Sequence, residues 1–212
     1  GDYDALVIGG HPLSKRTVEA ARRLRIVCKH GTGLDNLDLD LLKRAGVAVT
    51  NAPGTNSNAV ADLAFGLMLD AARRITASAD GVRSGAWKTL TGRDVYKKTL
   101  GLVGFGAIAR NVALRARGFS MPVLAYDPFL QAMPEEYAFG RLCGLDEVLA
   151  SSDFLSLHVP LTPETKGMIG AAEMRRMKRD AILINTSRGG IVDEDALFQS
   201  LQTAVWPARA SM

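Results

Sequence analysis

The sequence predicts an α/β protein built on parallel strands, and three observations carry that reading. Short β-rich apolar runs alternate with longer stretches of helical period along the whole chain, as they do where crossover helices join parallel strands. One of these strand-to-helix passages holds a glycine-rich turn, with Gly104, Gly106 and Ala109 in a GxGxxA spacing. The 212 residues, 47% hydrophobic and 23% charged, suffice for a sizeable core in one large domain or two modest ones.

Strands are expected at 5–8, 25–28, 47–50, 99–103, 123–126, 154–157 and 181–184, most of them bounded by Gly, Pro or Asp. Between them, helical period predicts helices at 14–23, 38–45, 57 to about 78, 107–117, 145–150, 171–177 and 193–201. Ser14 and Asp193 stand where an N-cap side chain accepts a backbone N–H, and Gly46 and Gly118 stand where a positive φ closes a helix. The stretch 59–75 has a nearly continuous apolar face, whereas 82–99 turns polar and basic with Trp87 and Tyr96 as isolated aromatics. That shift divides the chain into a first domain, 1–78, ending in an inter-domain helix, and a second, 79–212.

Composition excludes several classes. The net charge of +4 comes from 26 Lys and Arg dispersed among 22 Asp and Glu, so no basic block marks a nucleic-acid surface. The longest uncharged run, 45–61, is broken by Thr, Asn, Ser, Pro and Gly and offers no stretch of the ~18 apolar residues of a membrane span. Cys28 and Cys143 have no CxxC spacing and no signal peptide precedes them, which points to packing residues in a reducing cytoplasm, with no metal site.

The glycine turn carries chemistry. Gly104 permits the tight turn, Gly106 has no Cβ to block a pyrophosphate at the helix N-terminus, and Ala109 lets helix and strand pack closely. The next strand ends at Asp127, about 18 positions beyond Ala109 and near the ~20 of the dinucleotide fingerprint. A carboxylate there accepts from the adenosine ribose hydroxyls and repels a 2′-phosphate, which favours NAD over NADP.

Longer motifs sit in order around that turn: Lys-His-Gly-Thr-Gly-Leu-Asp-Asn-Leu-Asp (29–38), Val-Thr-Asn-Ala-Pro-Gly-Thr-Asn-Ser-Asn-Ala-Val-Ala-Asp (49–62), Gly-Phe-Gly-Ala-Ile-Ala (104–109), His-Val-Pro-Leu-Thr-Pro-Glu-Thr (158–165) and Asn-Thr-Ser-Arg-Gly-Gly-Ile-Val-Asp-Glu (185–194). Together they resemble the D-isomer-specific 2-hydroxyacid dehydrogenases, most of all the 3-phosphoglycerate dehydrogenase branch. The resemblance implies a Rossmann-type doubly wound parallel sheet that binds NAD, and a partial flavodoxin-like substrate domain. It also implies hydride transfer between NAD and a 2-hydroxy or 2-keto acid, and a cytoplasmic homodimer.

Carried over residue by residue, the resemblance makes Arg188 the catalytic arginine, whose planar charged fork suits the carboxylate and keto oxygen of the substrate. It nominates Thr32, Ala107, Ile108, Val159, Pro160, Thr165, Thr186, Ser187 and Arg188 as cofactor contacts beside Gly104, Gly106 and Asp127. His158 is expected to line the cofactor cleft. The loop His30, Gly31, Thr32 and Gly33 can offer backbone N–H groups to the substrate carboxylate, with Lys29 adding charge, although a simple turn would read the same. Asp62, where many relatives carry Glu, receives no chemical role.

Family members also use a histidine as general acid and a glutamate that holds it, and none of the three histidines here matches that position. The chain therefore reads as a fragment shortened at both ends, inactive alone and weakened in NAD binding by an exposed sheet edge. The tail from Thr203 departs from the family pattern, and its back-translated codons, read one base out of step, accommodate that pattern; a frame slip near Thr203 is expected. A non-catalytic NAD-binding module, pseudoenzyme or sensor, is the alternative reading.

Overall fold

The computed structural model describes residues 3–202, so the expected frame slip lies outside the described residues. The chain divides into two compact units, Gly1–Ser57 and Asn58–Met212.

In the first unit, β1 (Ala5–Ile8), β2 (Ile26–Lys29) and β3 (Ala48–Thr50) form a parallel sheet in the order β1-β2-β3, with α1 (Lys15–Ala20) and α2 (Leu39–Arg44) as the connections. Ser14 Oγ accepts the Thr17 N–H and Asp38 Oδ1 accepts the Leu41 N–H, so both helices start on side-chain caps. Gly46 has φ +69° just past α2, as expected. Val27, Leu42, Val18 and Val47 form the centre of a small core.

The second unit is a five-stranded parallel sheet in the order β6-β5-β4-β7-β8. Its strands are β4 (Leu100–Val103), β5 (Val123–Tyr126), β6 (Gly140–Leu142), β7 (Phe154–Leu157) and β8 (Ile182–Asn185). Helices α3 (Ser57–Arg73), α4 (Ile75–Arg83), α5 (Ala107–Arg117), α6 (Leu145–Ser151), α7 (Ala171–Arg176) and α8 (Glu194–Gln202) complete it. β4 and β7 are buried along their whole length, as central strands covered on both faces must be. One core, with Phe105, Val112 and Phe154, lies on one face, and another, with Leu149, Leu155 and Leu183, on the other.

The domain boundary falls at 57/58, not near 78. Ala61, Ala64, Phe65, Met68 and Ala72 of α3 are buried in the core that also holds Leu100 and Val112, and Asp62 pairs with Arg115 of α5 at 2.5 Å. The apolar face read as inter-domain therefore belongs to the second unit, and Asp62 has a structural partner.

The single long helix expected to about 78 is two helices. The Asp70 carboxylate accepts the Thr76 N–H at 2.6 Å and the Thr76 hydroxyl at 3.1 Å, and Arg74 between them takes φ 57°. A non-glycine residue in that left-handed region costs about 1–2 kcal/mol. Replacing Arg74 with glycine is expected to stabilise the second unit by about 0.5–1 kcal/mol, read as a higher melting midpoint; a lower one would mean that the Arg74 side chain outweighs its backbone strain.

Two further expectations change. Gly118 has φ −62°, and Ser120, with φ 51°, takes the left-handed turn after α5 instead. The edge strand β6, Gly-Arg-Leu, was not foreseen because it is too short and polar to show a strand period. Asp193 does cap α8, accepting the Ala196 N–H at 2.9 Å.

Candidate cofactor site

The chain leaves β4 for β5 and β6 on one side and returns to β7 and β8 on the other. Such a reversal opens a crevice at the carboxyl ends of the two central strands. A cavity of about 450 Å³ lies there, and three segments build its walls. The turn after β4 supplies Gly104 and Gly106. The end of β5 supplies Tyr126, Asp127, Pro128 and Phe129. The segment after β7 supplies His158, Val159, Pro160, Thr162, Glu164, Thr165 and Met168.

Gly104 is glycine for two reasons. Its φ is +86°, and a Cβ there would lie 2.9 Å from both the His158 carbonyl oxygen and Val159 Cγ1. Gly106 differs: its φ of −75° suits any residue, and an added Cβ would meet no protein atom within 4 Å. What it keeps clear is open space at the start of α5, whose N-terminus has no side-chain cap. Uncapped N–H groups and the positive end of the helix dipole face that space, which suits a pyrophosphate.

Asp127 ties the walls together. Its Oδ2 accepts the Phe105 N–H inside the glycine turn, and its Oδ1 accepts the Phe129 N–H, both at 2.9 Å. Each oxygen retains a lone pair for a further donor. Phe129, 93% exposed, stands at the cavity rim. On the third wall, the Thr165 hydroxyl donates to the Pro160 carbonyl at 2.6 Å and accepts the Thr162 N–H at 2.8 Å, so it braces its own loop.

Two polar atoms, His158 Nδ1 and Thr186 Oγ1, are buried without a hydrogen-bond partner among the described residues. His158 Nε2 lies 2.9 Å from the buried Ser156 hydroxyl, and burial pushes the imidazole down to about 4, so the ring is neutral near pH 7. Orphaned buried polar atoms are costly, and a ligand bearing donors and acceptors satisfies them.

Of the residues nominated from the sequence, Gly104, Gly106, Asp127, His158, Val159, Pro160 and Thr165 line this cavity. Ala107 and Ile108 form the first turn of α5 beside Gly106. Thr186, Ser187 and Arg188 lie on the loop after β8 and are not among the lining residues. Sequence reasoning missed Tyr126, Pro128, Phe129, Thr162, Glu164 and Met168. For Phe129 a signal existed, an aromatic two positions after the fingerprint aspartate.

Lys29, His30, Gly31, Thr32 and Gly33 form the loop after β2 in the first unit. The Lys29 ammonium donates to the Gly9 carbonyl, bracing the loop after β1 together with Asn36, which bonds the same oxygen at 3.1 Å. Asn51 Nδ2 donates to the Thr32 carbonyl at 2.7 Å, and the Ala52 N–H donates to the Gly31 carbonyl at 3.1 Å. The loop is thus held in shape, with His30 and Thr32 exposed.

A doubly wound sheet with a glycine turn, an uncapped helix N-terminus and an aspartate at the end of the next strand defines a dinucleotide-binding domain. A family model for the D-isomer specific 2-hydroxyacid dehydrogenase NAD binding domain matches residues 65–208. The chain belongs to this family.

A glyoxylate reductase of Korarchaeum cryptofilum is 44% identical over all of this chain and 65% of its own length. A D-3-phosphoglycerate dehydrogenase of Methanocaldococcus jannaschii is 38% identical over 95% of the chain and 39% of its own. The crystal structure of a D-lactate dehydrogenase from Aquifex aeolicus, complexed with NAD and lactic acid, superimposes with a TM-score of 0.84 at 30% identity, over 99% of this chain and 64% of that one. The chain thus spans less than two thirds of these relatives. NAD is the cofactor of the matched domain, and the residues present fit it: space at Gly106 for the pyrophosphate, Asp127 for the ribose, and the orphaned Nδ1 of the lining residue His158.

Proposed function

We propose that this chain is the cofactor-binding part of an oxidoreductase that transfers a hydride between NAD and the CH–OH carbon of a D-2-hydroxy acid. The observation that carries the reading is the switch-point cavity, where open space at the uncapped start of α5 meets the Asp127 carboxylate. When bound, the nicotinamide supplies the hydride. Arg188, exposed on the loop after β8, is the group for the substrate carboxylate and keto oxygen. The backbone N–H groups of the 30–33 loop are the second anion-binding element of the reading. A homodimer belongs to the same reading.

Proton transfer is not assigned to a histidine of this chain. His158 is neutral, with Nε2 engaged by Ser156, and His11 and His30 are exposed loop residues of the first unit. The 212-residue polypeptide is expected to bind NADH and to turn over no 2-keto acid. Calorimetric titration with NADH tests the first half, and loss of NADH absorbance with glyoxylate, pyruvate or phosphohydroxypyruvate tests the second. Absence of NADH binding sinks the cofactor reading; measurable reduction sinks the claim that the proton donor is not here.

A further inference from the structure

An arginine that binds substrate is only as well aimed as the loop that carries it. The loop with Arg188 leaves β8 at Asn185, and that one side chain ties it together. Asn185 Oδ1 accepts the Ser187 N–H at 3.0 Å and the Ser187 hydroxyl at 2.7 Å, while Nδ2 donates to the Arg188 carbonyl at 2.8 Å. The same carbonyl accepts the Ile191 N–H at 3.3 Å. The Arg188 backbone is therefore held from both sides, in an extended conformation with φ −143° and ψ 142°. Gly189 and Gly190 follow and bring no side chain that could hold the loop instead.

The turn leaves two side chains that its internal bonds do not use in the same way. Thr186 Oγ1, in its middle, is buried without a partner among the described residues. The Arg188 guanidinium is exposed and folds back so that Nη1 donates to the Ser187 carbonyl at 2.8 Å. A loop tied at Ser187 and Arg188 by its own first residue keeps its shape before any ligand arrives.

We propose that Asn185 is the positioning residue for substrate recognition: its amide fixes the 185–188 turn so that Arg188 meets the carboxylate and keto oxygen of a 2-keto acid in a preset orientation. This rests on reading Arg188 as the substrate-binding arginine. The amide is chemically specific, because the site needs one oxygen that accepts twice and one nitrogen that donates. Aspartate offers acceptors only and would set a carboxylate against the Arg188 carbonyl.

The test uses oxamate, an unreactive 2-keto acid analogue, titrated into the NADH-loaded protein by fluorescence. Asn185→Ala is expected to weaken oxamate about tenfold or more, since small misplacements of a binding group carry large losses, while NADH affinity falls clearly less than oxamate affinity and the melting midpoint holds. Asn185→Asp, which keeps the two accepting bonds, falls between the alanine variant and the parent, and Arg188→Ala loses oxamate binding. If Arg188→Ala loses oxamate and Asn185→Ala does not, the positioning role is overturned while the functional reading stands. Should Arg188→Ala retain oxamate, or the parent bind none, the functional reading falls and the inference with it. A parallel loss of NADH affinity, oxamate affinity and melting midpoint in Asn185→Ala overturns the positioning role in favour of a purely structural one.

Discussion

Gly106→Ala is expected to lower NADH affinity by about tenfold or more while leaving the melting midpoint unchanged. The two effects separate because an added Cβ meets no protein atom within 4 Å and the φ of −75° accepts any residue, so the fold has no reason to notice the methyl group. A dinucleotide does, since the methyl occupies the space through which the pyrophosphate reaches the first N–H groups of α5. Gly104→Ala is the contrasting case. There the Cβ would stand 2.9 Å from the His158 carbonyl and Val159 Cγ1, at a φ of +86°. Backbone strain and overpacking together should cost about 2–4 kcal/mol and lower the midpoint by roughly 5–10 °C. Titration with NADH and thermal unfolding of both variants decide the matter. Normal NADH binding by Gly106→Ala would remove the turn as the phosphate site.

Acid should lower the stability of this chain in two pH windows. His158 has a folded pKa of about 4 against 6.5 when exposed, so the unfolded chain takes up a proton first as the pH falls. Its contribution is complete above pH 6.5 and is lost progressively from 6.5 down to 4, amounting to about 3 kcal/mol at most. Asp153 acts in a lower window. Burial opposes its ionised form, yet the Lys178 ammonium at 2.9 Å and the Thr99 N–H at 2.8 Å hold it below the usual carboxylate value of 3.8. The stability it supplies is therefore present above pH 3.8 and disappears as the pH falls through its folded value. Urea midpoints measured between pH 8 and 3 should decline along this course, and His158→Gln should flatten the 6.5–4 stretch alone. An equal slope in that variant and the parent would show that His158 is not the buried proton acceptor.

Seven of the eight strands among the described residues were legible because each is an apolar run, most of them bounded by Gly, Pro or Asp, and central parallel strands such as β4 and β7 demand that composition on both faces. β6 was not, since an edge strand of three residues needs only one partner and shows no period. The break at Arg74 was hidden for a different reason. No Gly or Pro marks it, and the Asp70 carboxylate makes it by reaching Thr76. Nor does an amphipathic pattern say which core its apolar face joins, so the helix 59–75 was credited to the wrong side of a boundary that falls at Ser57.

In the site, Gly104, Gly106 and Asp127 were readable because phosphate and ribose lie a fixed distance apart on this fold, which fixes their spacing in the chain. The rim residues Phe129 and Glu164 carry no such constraint. Asn185 was visible as the first residue of the 185–194 motif but with no role attached, and its part emerged from the three hydrogen bonds of one amide.

The double attachment of Asp127 bears on how such a domain could change its cofactor. Its two oxygens hold the Phe105 N–H of the glycine turn and the Phe129 N–H of the rim. Mutational paths toward a phosphorylated cofactor that begin by deleting this carboxylate would thus slacken two walls of the pocket before any new phosphate contact existed. Paths through asparagine, which sheds the charge but keeps one accepting oxygen for the turn, cross a shallower valley. Cofactor preference in this lineage is then guarded by the architecture of the turn as well as by charge repulsion.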